Sequence, residues 1–364
     1  MLSTLLVDLG FRSAASGWFG FSGATAVAFV FMILFGPAFI NAMRAWQKKG
    51  QPIRSDGPKT HLAKAGTPTM GGLLILLAIF VSAALFIDFR NPIPFVALLS
   101  LVFFGAIGFV DDYGKIKRQA SNRAAEILSA RARLALGGIG AIILAFLADR
   151  FMPSNPDMLL SIYIPFFHIL IPAGIFYFVF AYFVIVGSAN AANITDGLDG
   201  MLSKIMLPVL VVITVALYGA THYGFLAGGV SLPDAAGLYP IVGAVLGAVL
   251  GFLWFNAKPA QIFMGDVGSL ALGGFIGTVA MQLKAEFVVG LAAAMMVIIL
   301  LSSFLQTMVF KLTKDSSGRG RRIFKMAPLH HHFELSGLAE TKIVERFFIA
   351  SIIFSAVALV LLKV

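Results

Sequence analysis

The chain has no cysteine and very little charge. Among its 364 residues only 12% are Asp, Glu, Lys or Arg, about half the roughly 25% of a soluble domain. Without cysteine there is no thiolate nucleophile, no disulfide staple and no Cys-held zinc. With so few charges the chain is neither a cytosolic enzyme nor a disordered protein, because such an apolar surface would not stay in water. Acids are the scarcer sign, 17 Asp and Glu against 27 Lys and Arg, giving a net +10. What is present is a 59% hydrophobic share with 35 Phe and 37 Gly, and a mean hydropathy of +0.93. Glycine-rich, phenylalanine-rich apolar sequence suits helices packed in lipid, where Gly lets backbones approach closely. The fold class expected is all-α, a polytopic integral membrane protein.

About ten windows free or nearly free of Asp, Glu, Lys and Arg (Lys204 enters the sixth, Glu345 and Arg346 the last) approach the 20 residues that a helix needs to cross a bilayer. They fall near 21–43, 69–87, 92–110, 134–148, 166–187, 202–219, 237–255, 267–283, 287–310 and 343–362. The stretch 219–236, with Gly, His, Tyr and Pro, suits interfacial structure, and 287–310 contains no proline to mark a break. The runs are continuous rather than alternating, which excludes a β-barrel. With the N-terminus outside, 22 of the 27 Lys and Arg fall in the inner connections 44–68, 111–133, 188–204, 256–266 and 311–346. Arg12, Arg90, Arg150, Lys284 and Lys363 make up the outer five. That asymmetry places both termini outside the cytoplasm. The positive charge is then a cytoplasmic-face property, suited to anionic headgroups or a phosphorylated substrate, with no nucleic-acid module in view. Asp8 and Arg12 interrupt the first stretch, so it does not read as a cleavable signal. One transmembrane domain, 1–364, is expected, its active site built from loops 44–68, 111–133, 188–204, 256–268 and 311–346.

The scarce acids are the informative residues. Five of the 17 form three sets at the inner ends of apolar windows: Asp111 with Asp112, Asp196 with Asp199, and Asp266. Carboxylates at a membrane edge are costly and tend to have a function. Taken singly, each is as readily a helix cap or a turn residue, Asp196-Gly197 and Asp199-Gly200 above all. Taken together in one inner-leaflet cleft they need a cation. Oxygen ligands without cysteine point to Mg²⁺ bridging to substrate phosphate. Lys115, Lys117 and Arg118 follow the first pair, and acid alternating with base suits a metal-bound diphosphate.

Other stretches carry weaker signals. Asn190 to Gly200 (NAANITDGLDG) is a dense polar run that could cradle a sugar or nucleotide, or be no more than a Gly-rich loop. Gly66 to Gly72 (GTPTMGG) suits a helix start whose N–H groups could meet phosphate, but it is not a Walker loop. His330-His331-His332 with Glu334 lacks the i, i+4 spacing of helical zinc ligands. Consecutive residues point apart, so hydrogen bonding to substrate is the better reading. His61, His168 and His222 are isolated and read as bland. Gly243, Gly247 and Gly251 form a small-residue stripe for helix packing.

With Asp111–Lys115 (DDYGK), Phe263–Ser269 (FMGDVGS) and Pro328–Glu334 (PLHHHFE), these motifs resemble the bacterial phospho-N-acetylmuramoyl-pentapeptide transferase (MraY) family. That family lies within the polyprenyl-phosphate N-acetylhexosamine-1-phosphate transferase superfamily. The resemblance covers nearly the whole chain. The Asp pair is shared across the superfamily, and the His triplet followed by Phe and Glu points to this family. The resemblance implies a Mg²⁺-dependent transfer from UDP-MurNAc-pentapeptide to undecaprenyl phosphate, giving lipid I and UMP for peptidoglycan synthesis, on the cytoplasmic face of the bacterial inner membrane. It also implies Asp266 as the main Mg²⁺ ligand, with Asp111 and Asp112 beside metal and lipid phosphate and Lys115 alongside. Lys64, Asp199 and Phe263 would hold the uridine, Phe263 by stacking on uracil. Thr69, Asn190, Asn193, Asp196, Asn256, His330 and His331 would line the rest of the cleft. Homodimerisation is a family expectation. Gln119 stands where relatives carry a further Lys, and Arg133 is the candidate for a later one, with a fork not equivalent to an ammonium.

Two routes fit: attack by a carboxylate to give a phosphoryl-enzyme, or direct in-line attack by the lipid phosphate, which is favoured. Competing functions are a relative that loads N-acetylglucosamine-1-phosphate on the same lipid, an ion-coupled transporter, and a scaffold. A transporter wants charges near the bilayer midplane and broken helices, and here the acids sit at one edge. A scaffold leaves the convergent Asp, Asn and His motifs without a role.

Overall fold

The computed structural model describes residues 16–47, 64, 66–121, 128–151, 159–223, 232–316 and 318–362, with the side chains of 118–121 left out. Much of the basic connection 44–68, together with Arg12, His61 and Lys363, lies outside the described residues, as do the side chains of Arg118 and Gln119.

The helices in chain order are α1 (Gly17–Gln47), α2 (Gly72–Phe86), α3 (Ile93–Ser121), α4 (Ala130–Phe151), α5 (Phe176–Thr195) and α6 (Met201–His222). Then come α7 (Tyr239–Asn256), α8 (Gly265–Gln282), α9 (Glu286–Ala292), α10 (Ala294–Leu312), α11 (Leu329–Glu334) and α12 (Glu340–Val360). Eight of the described helices are long and apolar enough to cross a membrane, namely α1, α3, α4, α5, α6, α7 (counted with the turn before it), α10 and α12. The other two apolar windows are α2, of 15 residues, and the buried α8. The protein is a multi-pass membrane protein.

Two features depart from the windows, and a third fills part of a stretch between them. Residues 161–172 form an antiparallel hairpin, β1 (Ser161–Ile164) and β2 (Ile169–Pro172), so the span expected from 166 starts at Phe176. Its alternating Ile and Tyr suit a strand, and the apolar count alone could not separate it from the helix that follows. The window 287–310 is broken at Ala293 without any proline. A 3-10 turn, Pro233–Leu238, occupies part of 219–236.

Helix α8 is the hub, with α3 and α5 on its flanks. Its glycines make that possible. A methyl at Gly273 or Gly277 would press on the α5 backbone, and one at Gly274 would overlap the Phe104 ring of α3. In lipid, this close van der Waals contact replaces the hydrophobic drive between helices. The 243/247/251 stripe works the same way, its first two members on the carbonyls of Phe21 and Thr25 in α1 and Gly251 on Met32.

Candidate active site

The C-terminal part of α3 presents Asp111 and Asp112, with Lys115 one turn on. Helix α8 begins at Gly265, whose φ of +74 is a glycine conformation, and carries Asp266 in its first turn. At Gly108 a side chain would collide with the Asp266 carbonyl, so α3 and α8 meet backbone to backbone there. That contact is what brings acids 154 and 155 residues apart together.

Lys115 Nζ sits between them, 2.8 Å from Asp111 Oδ2, 2.7 Å from Asp266 Oδ2 and 3.7 Å from Asp112 Oδ1. Arg133 of α4 adds a second cation, 3.2 Å from Asp111 Oδ2 and 3.5 Å from Asp266 Oδ2. Asn193 of α5 donates to Asp266 Oδ1 at 2.9 Å and to Ser269 Oγ at 3.0 Å. Asp196 caps the end of α5 and accepts from the Gly265 N–H. Burial, then the facing carboxylates of Asp266 and Asp112, push Asp196 well above the ordinary carboxylate range.

The glycine-rich stretch before α2 is pinned into this cluster. Gln47 takes the Thr69 N–H at 2.9 Å and donates to the Thr69 carbonyl at 2.9 Å. Gly71 and Gly72 donate to the carbonyls of Phe263 and Met264, and Phe263 donates to the Pro68 carbonyl, all at 2.9 Å. This clasp joins two sequence motifs into one wall.

The donor chemistry fits a hard divalent cation. Four carboxylates (Asp111, Asp112, Asp196 and Asp266) outnumber the two cations Lys115 and Arg133. The buried Thr69 hydroxyl beside them has no hydrogen-bond partner among the described residues. As the described side chains stand, no three acidic or His groups converge as a closed metal cage, and Lys115 holds the space between them. The set is oxygen-only, as magnesium prefers.

A second cluster lies at residues 199–200. Lys64 Nζ is 2.6 Å from Asp199 Oδ1 and 2.6 Å from Glu340 Oε1. Asp199 Oδ2 accepts from the Ala260 N–H at 3.1 Å. Burial alone would lower the Lys64 ammonium, but its bonds to Asp199 and Glu340 outweigh that and hold its pKa above the usual lysine value. Asn256 is a strut. It accepts from Gly200 N–H at 3.1 Å and donates to the Ile262 carbonyl at 2.9 Å, joining the two loops. Asn190 turns back on its own helix, donating to the Val186 carbonyl at 2.8 Å.

The three His residues point three ways. His330 is buried with its ring against Gly197, where any side chain would overlap it. His331 Nδ1 bonds Glu334 at 2.7 Å, and His332 Nδ1 accepts from the Lys325 N–H at 3.1 Å. Helix α11, which carries them, is tied to α10 by the Leu329 N–H on Ser302 Oγ at 3.0 Å. His168 bonds the Tyr163 hydroxyl in the hairpin that precedes α5, at the end of that helix opposite Asp196.

Arg133, the candidate for a later Lys position, is brought into the carboxylate cluster. Glu340 and Lys258, which joins it at 2.5 Å, escaped the sequence reading. The available signal was an acid just ahead of the last apolar window.

Comparison with known proteins adds to this geometry. The family model described as glycosyl transferase family 4 matches residues 94–284. Signature 1 of phospho-N-acetylmuramoyl-pentapeptide-transferase matches residues 64–76. The phospho-N-acetylmuramoyl-pentapeptide-transferase of Desulfotalea psychrophila is 45% identical over 351 residues, 94% of this chain and 92% of the relative. Those of Rickettsia felis and Rickettsia akari are each 43% identical, over 90% and 91% of this chain and 88% and 89% of their own lengths.

Proposed function

The chain belongs to the phospho-N-acetylmuramoyl-pentapeptide transferase family, and on that premise we propose the reaction it performs. It transfers phospho-MurNAc-pentapeptide from UDP-MurNAc-pentapeptide to undecaprenyl phosphate, giving lipid I and UMP in peptidoglycan synthesis. The observation that carries this reading is where the signature falls. Residues 64–76 contain both Lys64, on Asp199, and Thr69, beside Asp112 and Gly265. One segment therefore serves both ends of the site.

In this reading the uridine lies between Lys64, Asp199 and Phe263, with the Phe263 ring stacked on uracil. The diphosphate reaches toward Lys115 and Arg133. Asn190, Asn193, Asp196, Asn256, His330 and His331 belong to the walls, and Asn193 holds the Asp266 carboxylate in place. Magnesium, held by Asp266 with Asp111 and Asp112 beside it, would polarise the diphosphate oxygens as a Lewis acid.

A phosphate monoester with a second pKa near 6 is roughly 90% dianion at pH 7. The lipid phosphate therefore needs no strong base. One of its oxygens bonds to the sugar-linked phosphorus as the bond from that phosphorus to the UMP oxygen breaks, and UMP carries away the electron pair. Lys115 and Arg133 neutralise the charge spread over the transferring group. Asp111 and Asp112 orient the nucleophile, and positioning supplies much of the barrier reduction. We place the site on the cytoplasmic face of the bacterial inner membrane, supported by the distribution of Lys and Arg, and expect a homodimer.

The test is UMP release from UDP-MurNAc-pentapeptide by purified protein. Release is expected only with both undecaprenyl phosphate and Mg²⁺. Equal release from UDP-N-acetylglucosamine would favour the glycan-loading relative, and none from either would overturn the proposal.

A further inference from the structure

We infer that Glu340 is a positioning residue for the nucleotide end of the site, setting Lys64 and the 199–200 turn without itself touching substrate. The inference rests on the reading above that Lys64 and Asp199 hold the uridine.

Glu340 opens α12, yet its side chain is only 3% exposed. Oε1 takes Lys64 Nζ at 2.6 Å and the Asp199 N–H at 3.0 Å, and Oε2 takes Lys258 Nζ at 2.5 Å. Both oxygens are engaged and enclosed, so the carboxylate has little left to offer a ligand. It instead gathers four distant segments, at 64, 199, 258 and 340, at one point. Two carboxylates and two ammonium groups make a neutral ring, and Lys64 is shared between Asp199 and Glu340 rather than committed to either. Neutralising Glu340 leaves the ring with one excess positive charge. Lys64 then pairs with Asp199 alone, and both are withdrawn from a ligand. Among the described residues the polar contacts of Glu340 are with Lys64, Asp199 and Lys258, and none is with Asp111, Asp112 or Asp266. Its effect belongs in substrate binding rather than in the chemical step. The 199–200 turn keeps a second support in the Gly200 N–H on Asn256, so loss of the Glu340 charge leaves that turn held.

The experiment is steady-state kinetics of the full chain with Glu340→Gln and Glu340→Asp, alongside inhibition by the product UMP. Glu340→Gln is expected to raise KM for UDP-MurNAc-pentapeptide and the UMP inhibition constant together by about tenfold. Its kcat and its KM for undecaprenyl phosphate should stay within about twofold. Glu340→Asp, which keeps the charge on a shorter stem, should restore part of the loss. Unchanged KM and UMP inhibition in Glu340→Gln overturn the inference, as does a fall in kcat at constant KM. If Glu340→Gln does not fold, Lys258→Met strips one partner from Glu340 at a half-exposed position. It should raise the same two constants severalfold, and no change overturns the inference. Wild-type protein that neither binds UMP nor uses the donor sinks the proposed function and this inference with it. Wild-type binding that Glu340→Gln leaves untouched sinks the inference alone.

Discussion

The Val267 N–H donates to Asp112 Oδ2 at 3.1 Å, so the first turn of α8 grips a carboxylate that belongs to α3. The Gly265 N–H does the same for Asp196 of the α5 end. A helix N-terminus carries unpaired N–H groups and a partial positive charge, and here acids from two other helices use them. The consequence is a division of labour within the Asp pair. Asp112 is oriented by backbone, its second oxygen left 3.7 Å from Lys115, whereas Asp111 faces Lys115 and Arg133 directly.

Gly265 is where that grip is most exposed to mutation. Its φ of +74 costs an L-residue about 1–3 kcal/mol of strain, and a Cβ there would strike Asp112 Oδ2 and crowd Thr69. Gly265→Ala is expected to lower UMP release at least about 100-fold, as loss of a preorganised group does. Activity within a few-fold of wild type would show that the loop tolerates movement.

Lys115 and Lys117 make an internal comparison. Lys115 contacts three carboxylates of the cluster, whereas Lys117, two residues on, lies on a different face of α3 and is exposed. Lys115→Ala is expected to cut turnover about 100-fold or more, with Lys117→Ala far milder. Comparable, mild losses in initial-rate assays would mean that the basic loop only attracts lipid.

Much of this was legible in the sequence, and the rest was hidden for identifiable reasons. The apolar windows gave the helices because length and charge exclusion are local properties. The second strand of the hairpin, 169–172, was absorbed into the span read from 166, since Ile, Leu and Phe score alike in strand and helix. The break at Ala293 has no proline to announce it. The Asp sets were visible because acids are so rare here. Glu340 was not, because its meaning depends on Lys64 and Lys258, respectively 276 and 82 residues away. Arg133 likewise becomes part of the site only through the packing of α4 on α3.

Asp266 tests the cation. Asp266→Asn keeps the shape that Asn193 recognises but removes a charge from the carboxylate excess. Turnover should be abolished at ordinary Mg²⁺ and partly recovered as Mg²⁺ is raised, since weaker binding is the expected defect. Chelation of the wild type should give the same loss, reversible on adding Mg²⁺ back. Near-normal activity of Asp266→Asn at ordinary Mg²⁺ would remove Asp266 from the ligand set.

Lys64 sets an alkaline limit. Its folded pKa lies above the 10.5 of a free lysine, so its ion pairs contribute fully below 10.5 and are lost only as pH rises through the higher folded value. KM for the UDP-sugar should therefore stay flat from neutrality to about pH 10 in Lys64-dependent terms. A rise well below pH 10 that disappears in Lys64→Met would show that the ammonium titrates early and that its partners do not hold it.

The choice between direct attack and a phosphoryl-enzyme can be made on the wild-type protein. In the structure, the Asp266 and Asp111 Oδ2 atoms are both turned onto Lys115 at 2.7 and 2.8 Å. An ammonium pair at that distance lowers the nucleophilicity of a carboxylate oxygen. The lipid phosphate, mostly dianionic at neutral pH, is the better nucleophile and arrives with no covalent step to undo. With donor labelled in its sugar phosphate and no acceptor present, denatured protein should carry no label and no stoichiometric burst of UMP should appear. Label retained through denaturation, and lost with hydroxylamine as an acyl phosphate would be, would establish the two-step route.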